Sequence, residues 1–431
     1  MNPRSGFVRD TGMLALGLGL AQLITLAVMP VWARQYDAAA FAALGLWMAV
    51  VAVVSTAVLL RYDTCIVIAA DEPEARVVLR LCLRLALGGG AVLAAVAFLL
   101  PASWRDALGL AALGAWLPLA VLAGAGAAAM AALLAWCNRR RAYGLMSTSR
   151  IAQAGVAAAG GVALGASAVP AGLLWAQILG VGAGLLSLAG RRAASTSPSL
   201  DGTGGAGAPA PDLATVARQH SQAPRYLWPS ALLDTVTQQL PMLLAVAWFS
   251  TAAAGAFSLT WRTVAVPVLM LAAAAGPVFY ERFARAAAAD RPAARRLLAR
   301  TWVGFALIGL MPTLTLMAAG EVLFGAVFGP QWRDAGTLAA VLAPMLWLML
   351  VSSPTSGALI VLGLQRWSPV FGLAMLVYRP GALWLGAQHD SLALGLALWG
   401  VCEVVAITLY NVLVWRALAS PPAAVPPRPP D

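Results

Sequence analysis

The hydrophobic positions of this sequence form long continuous runs, and short polar stretches separate one run from the next. Twelve runs match the roughly 20 apolar residues that an α-helix needs to cross a bilayer. We predict a membrane helix over each: residues 12–32, 38–60, 78–100, 108–136, 146–166, 170–190, 227–249, 253–280, 301–319, 337–363, 368–387 and 391–415. Because the runs are continuous rather than alternating, a transmembrane β-barrel is excluded. The pattern predicts an all-α polytopic membrane protein.

The longest polar interruption, residues 191–226, divides the helices into two groups of six. It is rich in Gly, Ser and Pro, and such a composition cannot bury a core. We predict an N-terminal lobe over 1–190, a flexible cytoplasmic linker over 191–226 and a C-terminal lobe over 227–417. The proline-rich segment 418–431 is predicted to be a disordered tail.

The two halves of the sequence are weakly similar to each other. Asp37–Trp47 and Thr251–Trp261 agree at five of eleven positions, and each stretch joins the first and second helices of its half. Both halves begin on the same side of the membrane, which favours a parallel repeat with its axis along the membrane normal. We therefore predict two six-helix lobes around a central cavity, an architecture typical of transporters.

The arginines indicate which side of the membrane each gap faces. Of 28 arginines, 22 lie at the termini or in the gaps after even-numbered helices, whereas only Arg34, Arg105 and Arg333 lie in the opposite gaps. Basic residues concentrate in cytoplasmic loops. We therefore expect both termini to lie in the cytoplasm.

The composition narrows the function classes. Hydrophobic residues make up 61% of the chain and charged residues 10%, against roughly 25% charged in an ordinary soluble domain. A soluble enzyme, a disordered chain and a disulfide scaffold are excluded. The net charge of +11 comes from arginines in gaps between apolar runs, so we expect no nucleic acid partner. Without metal-ligand spacing, a phosphate-binding loop or a nucleophile elbow, we expect no enzyme activity, cofactor or metal.

Several charged residues lie inside the predicted helices, where a charge at the bilayer centre costs about 2.5–3.5 kcal/mol on insertion scales. Arg262, Arg379 and Glu403 lie near the midplane of the eighth, eleventh and twelfth helices, and Arg150 lies about one turn into the fifth. Such residues persist where they face a cavity or a partner. Pro380 follows Arg379 and is expected to break the eleventh helix.

The seventh helix carries a polar stripe, because Ser230, Asp234 and Gln238 repeat every four residues. A stripe of this kind does not face lipid, so it points at another helix or at water. Arg61 ends the second helix unless the apolar residues after Asp63 continue it. In that case Arg61 and Asp63 line the lower cavity.

Two interpretations of these charges remain open. In the first, Arg262 with Asp234 and Arg379 with Glu403 form buried pairs that only fix the helix register. In the second, the arginines line a cationic cavity for an anionic substrate. Two rows of arginines before or at the start of a predicted helix also have two interpretations. They either set the orientation in the membrane, with side chains that extend to the polar surface, or they bind phosphorylated lipid head groups. These rows are Arg76, Arg80 and Arg84, and Arg291, Arg295, Arg296 and Arg300.

Short motifs spread over most of the chain carry a resemblance to one protein family. They are Tyr36-Asp37 through Phe41, Leu60-Arg61-Tyr62-Asp63, Gln238-Gln239-Leu240-Pro241, Pro277-Val278-Phe279-Tyr280 with Arg282, and Val327 through Trp332. In this order and spacing they resemble Wzx-type polysaccharide-biosynthesis flippases. These O-antigen and capsule flippases belong to the multidrug/oligosaccharidyl-lipid/polysaccharide (MOP) exporter superfamily.

The resemblance implies two six-helix lobes, a MATE-like fold and alternating access. It implies an undecaprenyl-pyrophosphate-linked oligosaccharide as the substrate, moved to the periplasmic leaflet of the bacterial inner membrane. Coupling to H⁺ or Na⁺, and partners such as the polysaccharide polymerase and chain-length machinery, are further expectations.

The candidate site residues follow from the resemblance and from depth in the membrane. Arg61 matches the family's motif position, whereas Arg262 and Arg379 are assigned to the pyrophosphate by their depth only. The candidate substrate-binding residues are Arg61, Arg262, Arg379, Arg150 and Gln238. The candidate coupling residues or buried partners are Asp234, Glu403 and Asp63.

Two other functions compete with the flippase. A MATE-type cation-coupled exporter of small molecules would use acids such as Asp234 and Glu403. A non-transporting membrane scaffold of an envelope-assembly complex is the third, although a scaffold gains little from charges at the midplane.

Overall fold

The computed structural model describes residues 3–107, 109–195 and 212–419. This part of the chain consists of helices and the turns that join them, and it contains no strand. The long helices are α1 (Pro3–Gln35), α2 (Ala38–Leu59), α3 (Glu72–Leu99), α4 (Leu117–Arg139), α5 (Tyr143–Ala166), α6 (Gly172–Ser195), α7 (Trp228–Trp248), α8 (Thr251–Ala289), α9 (Arg291–Phe328), α10 (Arg333–Ser352), α11 (Ser368–Gln388) and α12 (Leu392–Ala419).

Local sequence signals set several helix ends. The Asp37 carboxylate caps α2 by accepting a hydrogen bond of 2.9 Å from the amide of Ala40. Asp71 caps α3 in the same way, at 2.7 Å from the amide of Glu74. Both caps satisfy amides that lack an intrahelical partner, and the acidic first turn of α3 complements the helix dipole.

Each predicted segment lies wholly or for the most part on one of these helices, which confirms the all-α fold class. Ten helices in the described chain are long and apolar enough to cross a membrane, so the protein is a multi-pass membrane protein. The two predicted segments outside this set are α5 and α7, which carry Arg150 and Asp234. Polar side chains along these two helices lower their mean hydropathy.

The chain folds into two compact units. The first comprises Met1–Leu259 with Gly325–Trp332, and the second comprises Thr260–Phe324 with Arg333–Asp431. The predicted lobes, 1–190 and 227–417, were divided at the long polar interruption in the sequence, whereas these two units are defined by packing. The lobes therefore stay a prediction.

In the first unit, α7 packs against α2. The Trp228 indole donates a hydrogen bond of 3.0 Å to the carbonyl of Ala57, and the hydroxyls of Thr56 and Thr235 lie 3.2 Å apart. Met242, two turns beyond Thr235, lies against α2. Spacing of seven residues between Trp228, Thr235 and Met242 places all three on one face of α7.

Residues 325–332 also pack into the first unit. The Trp332 indole donates a hydrogen bond of 2.7 Å to the carbonyl of Ala33 at the end of α1. The Trp332 ring meets Phe41 of α2 edge to face, with the ring centroids 4.9 Å apart. Both aromatic side chains are fully buried.

Three helices that lie wholly or partly in the second unit are irregular. In α9 the helix is interrupted at Ala319. α8 contains a π-helical turn at Trp261–Ala265. α10 ends at Ser352 and is followed by a 3₁₀ turn, Ser353–Thr355, and a short helix, Ala358–Val361, where one helix was predicted over 337–363. The predicted break at Pro380 is absent: α11 is continuous from Ser368 to Gln388 with Pro380 inside it.

The predicted linker 191–226 is helical in part. α6 extends to Ser195, and Leu213–Gln219 forms a short helix whose Val216 side chain is fully buried. This helix differs from the flexible linker predicted for it, because an apolar residue in the segment joins the core of the first unit. Residues 196–211 and the tail from 420 lie outside the described residues.

Candidate functional site

Arg61 lies at a break in the backbone. Leu60 and Arg61 both adopt left-handed conformations, with φ of 49° and 64°, which ends α2 and starts the separate short helix Tyr62–Ile68. α2 therefore does not run on through the apolar residues after Asp63. A left-handed conformation is uncommon for a residue with a side chain, and it turns Arg61 away from the α2 register.

The Arg61 guanidinium has few partners. Its Nη1 lies 3.7 Å from Asp63 Oδ2, which is a long contact for an ion pair. The Nε of Arg61 and the other carboxylate oxygen of Asp63 are both buried and have no hydrogen-bond partner. The side chain of Arg61 is 36% exposed. This position therefore holds a cation, and the exposed part of its guanidinium is the part that a ligand can reach.

The elements around Arg61 are held by specific contacts. The Tyr62 hydroxyl donates a hydrogen bond of 3.1 Å to the carbonyl of Ala217, and burial raises the pKa of Tyr62. Arg139 donates to the carbonyls of Ile66 and Ala69 at 3.1 and 2.8 Å. These bonds satisfy carbonyls at the end of the short helix, which lack intrahelical partners. The segment that carries Arg61 is thus held in place from both sides.

The polar stripe of α7 forms one side-chain pair. The Gln238 amide donates a hydrogen bond of 2.8 Å to Asp234 Oδ2, and both side chains are exposed. The stripe lies beside the α7 face that packs against α2, rather than on it. The structure thus brings together two predicted site residues, and their polar atoms face away from the core of the unit.

Arg262 lies within the π-helical turn of α8. Its side chain is half-buried, and its Nε is buried without a hydrogen-bond partner. Its neighbour Trp261 stacks on Trp399, with ring centroids 5.6 Å apart. Single π-helical turns inside longer helices occur frequently at functional sites.

Arg379 and Glu403 form a buried ion pair between α11 and α12. Arg379 Nη2 lies 2.9 Å from Glu403 Oε1 and its Nε lies 3.2 Å from Oε2. Glu403 Oε2 also accepts hydrogen bonds from Tyr378 and Trp399, at 2.9 and 2.8 Å. The side chains of the pair are 9% and 2% exposed. The structure therefore favours the pairing interpretation for Arg379.

Arg150 makes a weaker contact within α5. Its Nη1 lies 3.5 Å from Gln153 Oε1, one turn further along the helix. The sequence analysis did not identify Tyr378 and Trp399 as partners of Glu403. Trp399 lies four residues before Glu403, so its spacing places it on the same face of α12. Tyr378 is adjacent to Arg379 on α11, and no spacing rule indicates its contact with Glu403. In the described part of the chain, no three His, Cys, Asp or Glu side chains form a group that could hold a metal ion.

The predicted site residues divide between the two units. The first unit contains Arg61, Asp63, Arg150, Asp234 and Gln238. The second unit contains Arg262, Arg379 and Glu403. Three pairs are in direct contact, namely Arg61 with Asp63, Asp234 with Gln238, and Arg379 with Glu403.

Comparisons with known proteins show the fold. No protein-family model matches this sequence, and no curated protein matches it. The chain is similar to the lipid II flippase MurJ in an inward closed conformation, with a TM-score of 0.72 and 8% identity over 94% of this chain and 89% of that one. It is also similar to an inward-facing multidrug resistance MATE family transporter of the MOP superfamily, with a TM-score of 0.63 and 15% identity over 92% and 95% of the two chains.

A mutant of the Vibrio cholerae MATE transporter VcmN has a TM-score of 0.57 and 16% identity, over 96% of this chain and 95% of that one. At these identities the likeness shows the fold alone. The chain therefore has the fold of MATE and other MOP-superfamily transporters, as predicted from the sequence.

Proposed function

We propose that this protein is a flippase of the Wzx type. It moves undecaprenyl-pyrophosphate-linked oligosaccharide repeat units from the cytoplasmic to the periplasmic leaflet of the bacterial inner membrane, for assembly of a surface polysaccharide. The observation that carries the proposal is that Arg61 and Arg262 both lie at helix irregularities, each with a buried Nε that lacks a hydrogen-bond partner. The motif resemblance and the fold shared with MurJ support the same class of substrate.

The chemistry of the substrate explains the need for such arginines. A pyrophosphate cannot enter hydrocarbon without partners for its charge. A guanidinium gives a phosphate two parallel, charge-assisted hydrogen bonds. A buried donor without a partner costs about 1–3 kcal/mol, and a bound phosphate oxygen removes that cost. The lipid tail stays in the bilayer while the head group crosses between the proposed lobes.

The proposal gives the candidate residues different roles. Arg61 and Arg262 contact the pyrophosphate, and Arg150 and Gln238 contribute polar contacts to the head group. Arg379 holds α11 against α12 through its ion pair with Glu403. It does not contact the substrate and affects transport only by positioning these two helices. Coupling to H⁺ or Na⁺ and contact with a polymerase and chain-length machinery belong to the same proposal.

Deletion of the gene in its host tests the proposal. We expect lipid-linked repeat units to accumulate and the surface polymer to be lost, as measured by lipid extraction with mass spectrometry and by glycan staining. Restoration of both by the unmutated gene is the required control. An unchanged glycan and lipid profile in the deletion strain refutes the flippase function.

Substitutions in the complementing gene test the arginine mechanism separately. We expect Arg61→Ala and Arg262→Ala to express at the normal level and to restore less than about a tenth of the polymer. Arg262→Lys keeps the charge but not the bidentate geometry, so we expect partial function. Arg285→Ala is the matched control, because Arg285 is exposed and pairs only with Glu281 one turn earlier. Full polymer in both alanine variants refutes the role of the arginines.

A MATE-type exporter is the second candidate function. It is favoured by the fold shared with MATE transporters and by Asp234, whose exposed carboxylate accepts a hydrogen bond from Gln238. An exporter of this kind needs an acid that exchanges a cation. Sensitivity of the deletion strain to cationic compounds, restored by the unmutated gene but not by Asp234→Asn, would favour this function.

A further inference from the structure

The ends of three helices in the first unit border a half-open, mainly apolar cavity of about 220 Å³. The last turns of α4, the first turn of α5 and the end of α6 form its walls. The lining residues are Leu133, Trp136, Cys137, Arg140, Ala142, Leu145 and Leu188. Most of these side chains are buried, and Arg140 is the charged one among them.

The size and lining of the cavity indicate what it can hold. Protein interiors contain few voids larger than a water molecule. Apolar side chains gain free energy when hydrocarbon replaces water against them. A cavity of about 220 Å³ lined by leucine, tryptophan and cysteine side chains is therefore suited to a stretch of hydrocarbon chain rather than to water.

The position of the cavity indicates where the hydrocarbon comes from. α4 ends, α5 begins and α6 ends at the same side of the unit, joined between α4 and α5 by the turn at Arg140 and Arg141. The distribution of arginines along the sequence predicts that this side is cytoplasmic. A cavity at that depth opens beside the acyl chains and phosphate groups of the cytoplasmic leaflet.

The arginines beside the cavity differ in their partners. Arg139 donates to backbone carbonyls, including those of Ala69 and Asp71 at 2.8 and 3.1 Å. The Arg140 guanidinium lies 5.7 Å from the centre of the Trp136 ring, and its side chain is 50% exposed. Its contact with Glu72 is long, at 3.8 Å. Glu72 pairs at 2.8 Å with Arg76, so its carboxylate is shared between two arginines.

We infer that this cavity binds an anionic phospholipid of the cytoplasmic leaflet, with one acyl chain among the apolar lining residues and the phosphate on Arg140. Basic pockets between helices on the cytoplasmic side are a recurrent site for anionic lipid head groups. None of the lining residues is a candidate substrate residue. The inference therefore does not depend on the proposed function.

Binding to the purified full-length protein tests the inference. We expect native mass spectrometry to show retention of phosphatidylglycerol over phosphatidylcholine by at least about fivefold. One arginine near the surface contributes about 1 kcal/mol to anionic lipid binding, which corresponds to about fivefold in affinity. Arg140→Gln should therefore bind phosphatidylglycerol about fivefold more weakly. Arg285→Gln is the matched control, because Arg285 is also exposed and pairs with a single exposed glutamate.

Cys137 in the cavity wall provides a second measurement. In a variant with Cys65, Cys82 and Cys402 replaced by alanine, we expect phosphatidylglycerol to slow alkylation of Cys137 and phosphatidylcholine to have little effect. Leu145→Trp, which fills the cavity, should remove this protection while leaving the gel-filtration profile unchanged.

Two results overturn the inference. One is equal retention of the two phospholipids, or unchanged retention in Arg140→Gln. The other is displacement of phosphatidylglycerol by stoichiometric undecaprenyl pyrophosphate, because that result makes the cavity part of the substrate path.

Discussion

The ion pair of Arg379 and Glu403 makes the sharpest stability prediction. Replacing Arg379 with methionine keeps an unbranched, flexible side chain, although a shorter one, and removes the charge. Glu403, which is 2% exposed, then keeps only its hydrogen bonds from Tyr378 and Trp399. Removing one partner of a buried ion pair costs about 3–5 kcal/mol, because the other charge stays buried.

The double variant separates the pair from each residue alone. Arg379→Met with Glu403→Leu leaves no charge uncompensated, and apolar replacement of a buried pair is often neutral or stabilising. We therefore expect each single variant to lower the apparent melting temperature by at least about 6 °C, at roughly 2–4 °C per kcal/mol for a unit of this size. The double variant should recover most of the loss.

The assay is thermal unfolding of purified protein in detergent, monitored by size-exclusion chromatography after heating. Polymer synthesis by the same variants in the deletion strain gives a second readout. If the pair only holds α11 against α12, the double variant transports normally. Two results refute a coupled buried pair. One is a fall in melting temperature of less than about 2 °C in each single variant, and the other is a fall in the double variant equal to the sum of the two single falls.

Four further predictions concern other residues. Gly336→Ala should be strongly destabilising in the same melting assay, because the added methyl group would overlap the backbone of Gly320. Gly372→Ala, where nothing lies within 4 Å, should raise stability by up to about 1 kcal/mol. Arg139→Gln should cost about 2 kcal/mol, since charged hydrogen bonds to four backbone carbonyls are lost. Asp234→Asn should leave polymer synthesis within twofold of normal if Asp234 only accepts the hydrogen bond from Gln238, and loss of the polymer would instead assign Asp234 to cation coupling.

The sequence predicted most of the fold because membrane helices need long apolar runs. Hydrogen bonding within each helix satisfies the backbone in lipid, so a run of about 20 apolar residues nearly determines its own structure. This explains why every predicted segment lies mostly on a helix, and why the predicted fold class is confirmed.

The irregular parts of the fold could not be predicted from the sequence, because they depend on contacts between residues far apart in the chain. Pro380 was expected to break α11, yet the helix continues. α10 instead stops at Ser352, where Tyr410 of α12 donates hydrogen bonds of 3.3 and 3.1 Å to the carbonyls of Thr355 and Ser356. Irregular backbone at membrane depth persists only where such partners exist. The partner is 55 residues away in sequence, beyond any local signal.

The candidate site was predictable as a set of residues rather than as an arrangement. Arg262 and Arg379 were both identified by their position near the middle of a predicted membrane helix. The free-energy cost of burying a charge at the membrane centre is the same for both residues. Their environments differ, since Arg379 shares a bidentate pair with Glu403 whereas the Nε of Arg262 has no partner. That distinction required the positions of neighbouring helices.

Residues 212–259 belong to the first unit together with the N-terminal helices. Side-chain contacts, as well as the peptide chain, hold the two stretches together. A cut within residues 196–211 would leave the second fragment attached through its own side chains, such as Trp228 on Ala57 and His220 at 2.9 Å from Glu74. Trp332 on Ala33 adds a further attachment from much later in the chain. Two separately synthesised fragments that divide in this interval should therefore assemble in the membrane.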